Sequence, residues 1–460
     1  MQRISLCLIA RDEEELLPGC LASVQGLVDE IVVADTGSTD RTVEIALAAG
    51  AILVEHVWQD NFSAARNAAL SAATGDWILV LDADERLYGP GHKNLRATVE
   101  SGKLDCGMLA WHNASRMDAT AEEILRGEAR LGEPVLVPRL FRHTPDLRWH
   151  GLVHEHVNPW LHQRGGRGRI IEAPILHYGA MPSIRKERGK DDRNLRLLRK
   201  EIDLAPDNWM AKAYLAEGLF EASRPEEAVV YAEEAWGAVR QIVTRTGTPP
   251  CGSTKTASIL SALRVRQGDF SAALTVLRAA RRLGIRHPNV DYISGLAHEN
   301  LALRSPNPEA EKDHLARARE CYAAALSHNH RHFVDCILEG AVSWASECRL
   351  GIVLLQEGDA ARALASFDRA LEVNPGYREA VLGKAEALLD LEEPTAALAL
   401  LSPDEDSCAD EWLLAAEAHR QLMNRQAFDA CVERAYALAR SSLKGLHRLA
   451  LLNDLVRLAS

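Results

Sequence analysis

Small residues recur at one spacing through the second half of the chain. Gly351, Ala363 and Ala370 stand 12 and then 7 positions apart. The same intervals separate Ala216, Ala228 and Ala235; Ser261, Ala273 and Ala280; and Ala418, Ala430 and Ala437. Ala385 and Ala397 repeat the first interval, with Asp404 in the third place. Gly351 lies 34 residues before Ala385, and Ala385 lies 33 before Ala418. Two antiparallel helices approach closely only where the side chain at the crossing is small. Small residues at fixed points of such a period predict stacked helical hairpins rather than an irregular bundle. Gly268-Asp269 and Gly358-Asp359 fall where a hairpin must turn.

Around the most regular copy stand Leu350, Leu354, Phe367 and Pro375. Period and positions resemble the tetratricopeptide repeat, a helix–turn–helix unit of about 34 residues. About six such repeats fit residues 206–460. Arg304–Pro308 and the His-rich stretch 328–332 read as insertions. The resemblance implies an all-α solenoid whose concave face suits an extended partner.

Residues 1–205 have a different texture, with short β-branched runs alternating with helical stretches. A chain of 460 residues predicts two or three domains. No apolar run approaches the ~18–20 residues of a membrane span, so no integral membrane segment is expected. The N-terminal apolar stretch runs straight into Arg11-Asp12-Glu13-Glu14-Glu15, which fits neither a signal peptide nor an anchor. With 53 Lys and Arg against 65 Asp and Glu, the net charge of −12 argues against nucleic acid as a general partner. Nine cysteines without a Cys-x-x-Cys pair read as reduced, mostly buried thiols, hence a cytoplasmic protein. Peripheral attachment to the inner face of a membrane stays open.

Ile4–Ala10 is almost continuously apolar, as in a strand buried on both faces of a parallel sheet. Asp12, Glu13 and Glu14 then favour a helix N-terminus. A strand at Ile31–Ala34 ends in Asp35, and Thr36–Asp40 turns into a helix stopped by Gly50. A third strand is expected at 51–55. Ser63 is placed to cap a helix carrying Arg66 and Asn67. Trp77–Leu81 then delivers Asp82-Ala83-Asp84-Glu85. This is a doubly wound α/β pattern. Such sheets bind ligands outside the carboxyl ends of their strands, and Asp12, Asp35, Asp82 and Asp84 all fall there. Four carboxylates at one edge repel one another. A hard divalent cation, Mn²⁺ or Mg²⁺, with a diphosphate would supply the counter-charge.

These residues carry a second resemblance. Ala10-Arg11-Asp12-Glu13-Glu14, Asp35-Thr36-Gly37-Ser38-Thr39-Asp40, Ala65-Arg66-Asn67 and Leu81-Asp82-Ala83-Asp84 resemble inverting glycosyltransferase family 2, of the Rossmann-like GT-A fold of nucleotide-diphospho-sugar transferases. Arg139-Leu140-Phe141-Arg142, Gly151-Leu152-Val153-His154-Glu155 and His177-Tyr178-Gly179 narrow this to the branch containing sublancin-type peptide S-glycosyltransferases. Position 12 is Asp where that branch usually has Asn. The resemblance implies a nucleotide-sugar donor, a UDP-sugar being the commonest case, and a peptide, protein or glycan acceptor. It implies that Asp35 meets the nucleobase, with Asp12 and Arg66 beside the nucleotide. Asp82 and Asp84 would hold ribose and metal, Asp84 directly, and His177 would complete the metal site. Asp40, Ser38 and Thr39 read as structural.

Inverting transfer is one in-line displacement and needs a base for the acceptor hydroxyl or thiol. Glu155 or His154 could be that base, or His154-Glu155 could only brace a loop. A zinc site of His154, His156 and His177 is disfavoured, since His-Glu-His lacks the i,i+4 spacing of helical zinc motifs. The basic run 185–200 reads as a solvated helix face. Its sharper reading has Arg185 or Arg188 closing over the diphosphate. The repeats would grip the acceptor or form a homodimer. Two other functions compete. One is a repeat scaffold with a degenerate transferase domain. The other is a nucleotidyltransferase, for which the acidic first loop is a poor triphosphate cradle.

Overall fold

The computed structural model describes residues 1–165, 168–187, 189–328, 333–335, 338–401, 403 and 407–439. The first part runs β1 (Ile4–Ala10), α1 (Leu17–Ser23), β2 (Glu30–Asp35), α2 (Thr42–Ala48), β3 (Ile52–Glu55), α3 (Phe62–Ala72) and β4 (Trp77–Val80). It continues with β5 (Glu85–Leu87), α4 (His92–Ser101), β6 (Cys106–Ala114), α5 (Ala121–Arg126), β7 (Arg130–Arg142), α6 (Asn158–Gln163) and β8 (Gly168–His177). Helices α7 (Pro182–Glu187) and α8 (Lys190–Leu204) follow.

The sheet order is β3-β2-β1-β4-β7-β6-β8-β5. Strands β3, β2, β1 and β4 are parallel, as the sequence pattern predicts. Beyond β4 the sheet turns mixed, with β7 antiparallel to β4 and β6 parallel to β8. Alternate residues of β1 enter different cores. Leu6 and Leu8 join Trp77, Leu79 and the α1 residues Leu17 and Leu21. Cys7 joins Ile78, Val80, Phe141, Trp149 and Trp160 on the other face. Burial on both faces is why β1 reads as an unbroken apolar run.

Two helix starts differ from the sequence reading. Helix α1 begins at Leu17, not at Asp12, because Asp12 takes a left-handed φ of 53° and breaks the run. The N-cap of α3 is Asn61, whose side chain accepts the Ala64 N–H at 2.9 Å; Ser63 is already inside the helix.

The second part is helical apart from a bridge of Phe333 to Val135 of β7: α9 (Trp209–Glu221), α10 (Pro225–Thr246), α11 (Ser253–Arg266), α12 (Phe270–Arg282), α13 (Pro288–Leu303) and α14 (Pro308–Leu326). Then come α15 (Trp344–Gln356), α16 (Ala360–Val373), α17 (Arg378–Asp390), α18 (Pro394–Leu401), α19 (Ala409–Gln421) and α20 (Arg425–Ala439). The small residues are small for the predicted reason. A Cβ on Gly351 would stand 2.7 Å from the Phe367 ring, and Ala363, Ala370 and Ala385 are fully buried. The last copy departs. Ala430 and Ala437 are exposed, and Cys431 and Ala435 are buried in their place, so its second helix is offset from the earlier register. Asp404 and most of the 328–332 stretch lie outside the described residues.

Backbone contacts group α9–α11 with the sheet in one compact unit that runs through Gln267; α13–α20 belong to a second unit. The change of texture at 205 therefore lies within the first unit. No helix among the described residues is long and apolar enough to cross a membrane.

Candidate active site

Strands β2, β1 and β4 lie side by side, with Ala10 level with Asp35 and Cys7 level with Val80. Their carboxyl ends bring Asp12, Asp35, Asp82 and Asp84 to one edge of the sheet. The structure then divides the four by what neutralises them.

Asp35 and Asp12 are engaged by loop donors. Asp35 Oδ2 accepts the N–H groups of Gly37 (3.0 Å) and Ser38 (3.1 Å), and Oδ1 accepts the Ser38 hydroxyl at 2.5 Å. Asp12 Oδ1 accepts the Thr39 N–H at 2.7 Å, while the Asp12 N–H donates to Ser38 Oγ at 3.1 Å. Asp and Asn tolerate the left-handed backbone that this position adopts, so either residue serves the turn. Asp40 accepts the N–H of Thr42, the first residue of α2, at 2.9 Å and that of Glu14 at 3.0 Å. The β1 and β2 loops are thus laced together by Ser38, Thr39 and Asp40.

Asp82 is neutralised by arginines. Arg66, from α3, donates Nη2 to Oδ1 at 2.7 Å, and Arg139, from β7, donates Nη2 to Oδ2 at 3.1 Å. Arg66 also binds Glu155 through Nε, and Arg139 also binds Glu85. Burial alone would raise the Asp82 carboxyl, but Arg66 and then Arg139 hold it well below the usual carboxylate range. Glu85 is fully buried, and that burial pushes its carboxyl up to about 7 against the pull of Arg139. Glu155, Arg66, Asp82, Arg139 and Glu85 form one continuous ion-pair chain. Much of the counter-charge that the sequence assigns to a cation is therefore supplied by Arg66 and Arg139.

Asp84 differs from its neighbours. Its Oδ2 faces His177 Nε2 at 3.6 Å and Lys190 Nζ at 3.5 Å. The Nδ1 of His177 lies 2.7 Å from Asn113 Oδ1, and the outer nitrogen is turned to Asp84. The imidazole stacks on Trp111, with centroids 4.2 Å apart. A Cβ on Gly179 would sit 1.8 Å from Asp84 Oδ2, so only glycine lets the backbone pass there. Together with the Tyr178 N–H bond to the Asp84 carbonyl (2.9 Å), this gives His177-Tyr178-Gly179 a physical purpose. Burial raises the Asp84 carboxyl, and His177 and Lys190 bring it below its ordinary value.

The donor set fits a divalent cation: one carboxylate oxygen, one imidazole nitrogen turned to it, and a glycine cradle that leaves room. No three His, Cys, Asp or Glu side chains converge on one point among the described residues. Further ligands would have to come from a nucleotide or water. The same finding leaves the zinc reading of His154, His156 and His177 without a cluster.

The two base candidates part company. Glu155 joins the arginine network, whereas His154, at φ 52°, lays its ring flat on Tyr214 of α9 with centroids 4.0 Å apart. Their loop is pinned from outside the sheet, as the Leu152 N–H donates to Glu201 Oε2 of α8 at 2.7 Å. Asn67 exchanges two hydrogen bonds with the Trp149 backbone, 3.0 and 2.9 Å, which explains the Asn after Arg66. In the basic run, Arg196 pairs with Asp60. The Arg185 side chain and Arg188 lie outside the described residues. Residues not singled out from sequence as site residues are Arg139, Glu85, Asn113, Trp111 and Lys190. Arg139 and Lys190 stood in a noted motif and a noted basic run, but nothing local marked their partners.

Residues 5–113 match glycosyl transferase family 2, and residues 354–406 match a tetratricopeptide repeat. The chain carries a glycosyltransferase family 2 domain and tetratricopeptide repeats. A TPR repeat-containing protein of Synechococcus elongatus is 38% identical over 288 residues, 61% of this chain and 66% of that one. The SPbeta prophage-derived glycosyltransferase SunS of Bacillus subtilis is 28% identical over 238 residues, 50% of this chain and 53% of that one. An uncharacterized glycosyltransferase of Rickettsia felis is 38% identical over 116 residues, 25% of this chain and 37% of that one. The matches thus span less than two thirds of each relative. The family 2 match holds Asp12, Asp35, Arg66, Asp82 and Asp84; Arg139, Glu155, His177 and Lys190 lie beyond it.

Proposed function

We propose that this chain is an inverting, metal-dependent glycosyltransferase moving a sugar from a nucleotide-diphosphate donor, a UDP-sugar in the first instance, to a peptide, protein or glycan. The observation that carries this reading is Asp84 Oδ2, buried in the Gly179 cradle at the carboxyl edge of the sheet and faced by His177 Nε2. Mn²⁺ or Mg²⁺ held by Asp84 and His177 would neutralise the leaving diphosphate. The laced β1 and β2 loops, with Asp12 and Asp35, wall the nucleoside side. Arg66 fixes Asp82 and Glu155 relative to each other. Glu155, at the end of that chain, takes the proton of the acceptor hydroxyl or thiol as the anomeric carbon is attacked. His154 helps to set the loop that carries Glu155. The repeats supply acceptor binding or self-association.

The test is calorimetric titration of the full chain with UDP, with and without Mn²⁺, followed by mass spectrometry of donor hydrolysis products. Mn²⁺-dependent UDP binding is expected, and EDTA should abolish turnover. A chain that binds no nucleotide under either condition is a scaffold, and the proposal falls.

A further inference from the structure

Helix α8 opens at Lys190, directly after Gly189 in a left-handed turn (φ 53°). The lysine reaches back to the sheet edge. Its ammonium lies 3.5 Å from Asp84 Oδ2 and 3.3 Å from the Gly179 carbonyl oxygen. His177 Nε2 addresses that same carboxylate oxygen at 3.6 Å. The oxygen best placed to bind a metal together with His177 is therefore the oxygen that the ammonium contacts. Asp84 and His177 would hold a divalent ion there. It would meet a positive charge only a few ångströms away in a three-quarters-buried setting, where repulsion is poorly screened. The rest of α8 is tied elsewhere. Arg196 binds Asp60 at 2.6 and 2.9 Å, and Glu201 accepts the Leu152 N–H and the side-chain amide of Asn208, at the start of α9. Within the first turn, Arg193 stacks on Phe62, 5.1 Å from the ring centroid, so Lys190 can leave without that contact breaking.

We propose that Lys190 is a resident cation on the Asp84 oxygen, which a divalent ion must displace, so that loading the site releases the Lys190 side chain from the sheet edge. The displaced ammonium, on its flexible stem, is then available to the anionic donor. The idea rests on the metal reading of Asp84 and His177 given above.

The experiment measures Mn²⁺ binding to the full chain without nucleotide, by calorimetry and by loss of the free Mn²⁺ spin-resonance signal. Wild type, Lys190→Met and Lys190→Arg are compared. Met keeps the stem and removes the charge, so Lys190→Met should bind Mn²⁺ on the order of tenfold more tightly than wild type. Lys190→Arg should bind no better than wild type. Equal or weaker Mn²⁺ binding in Lys190→Met, with binding intact in wild type, removes Lys190 from this role and leaves the metal site standing. Failure of all three proteins to bind Mn²⁺, even with UDP present, overturns the metal reading and this proposal together.

Discussion

The sheet and the repeats each bury arginine between carboxylates, and they use the arrangement differently. In the repeats, Arg349 of α15 binds Glu299 of α13 at 3.2 Å and Glu379 of α17 at 3.0 Å. Tyr322 donates to the second oxygen of Glu299 at 2.6 Å, and Tyr377 donates to Glu379 at 2.8 Å. That network is closed: both Glu299 oxygens have protein donors, and three helices are joined through one guanidinium. At the sheet edge, Arg66 and Arg139 each pair with one oxygen of Asp82, yet two residues on Asp84 meets a histidine and a lysine at the longer distances of 3.6 and 3.5 Å. Buried charge by itself marks nothing. What separates a site from a weld is an oxygen whose neighbours can be exchanged for a ligand.

The largest expected effect tests Asp84. Asp84→Ala should lower transfer about a thousandfold, since leaving-group stabilisation goes with the carboxylate. Circular dichroism should stay unchanged. Gly179→Ala is the sharper version. It leaves the carboxylate chemically intact, but its Cβ would fall 1.8 Å from Asp84 Oδ2 and must push it aside. Mn²⁺ binding should fall with turnover in both variants. Near-normal turnover in either would mean that Asp84 is as structural as Glu299.

The closed network should show the converse behaviour. Arg349→Met leaves Glu299 buried without its cation, which costs about 3–5 kcal/mol where a buried pair is broken from one side. Hydrogen exchange of α13–α17 amides should report that loss. UDP and Mn²⁺ affinities should stay within about twofold of wild type, well under the 1.4 kcal/mol that a tenfold change represents. A large loss of nucleotide binding would show that the repeats take part in the donor site.

What sequence could tell follows from how local each signal is. The small-residue period and the β1–β4 alternation are local, and both appear in the structure with small shifts at helix starts. The shifts have causes: Asp12 turns left-handed, and Asn61 rather than Ser63 caps α3. The antiparallel half of the sheet had only motifs to announce it, because β6, β7 and β8 pair out of chain order. The ion pairs were least legible. Arg66 and Arg139 lie 16 and 57 residues from Asp82, and Lys190 lies 106 residues from Asp84. Four carboxylates at one edge were readable, but which of them already had cations was not. That depends on tertiary contacts that no spacing rule encodes.

The smallest expected effect concerns a carboxyl that both networks share in kind. Burial raises Glu299 in the repeats and Glu85 in the sheet, Glu85 to about 7. A folded-state value above the unfolded one, near 4.5, means that the native protein binds the extra proton between about pH 4.5 and 7. The Glu85 contribution to stability should therefore fall as pH rises through that window and level off above it. Asp82 contributes the opposite way, because its depressed value adds stability that is present above about pH 4 and is lost only in acid. Between pH 5 and 8 the Asp82 contribution is constant, whereas His154 and His156, lowered by burial, add stability as pH rises, so Glu85 is isolated by comparison with a variant that keeps both histidines. Glu85→Gln mimics the protonated side chain, so it should match wild type near pH 5 and exceed it by about 3 kcal/mol or less at pH 8. Exchange of the β4 amides, corrected for intrinsic rate and compared at pH 5, 6, 7 and 8, reads the difference. Parallel profiles would mean that Arg139 keeps Glu85 ionised throughout. The sheet network would then be a closed, fully charged cluster apart from Asp84, and its contrast with the repeats would narrow to that one residue.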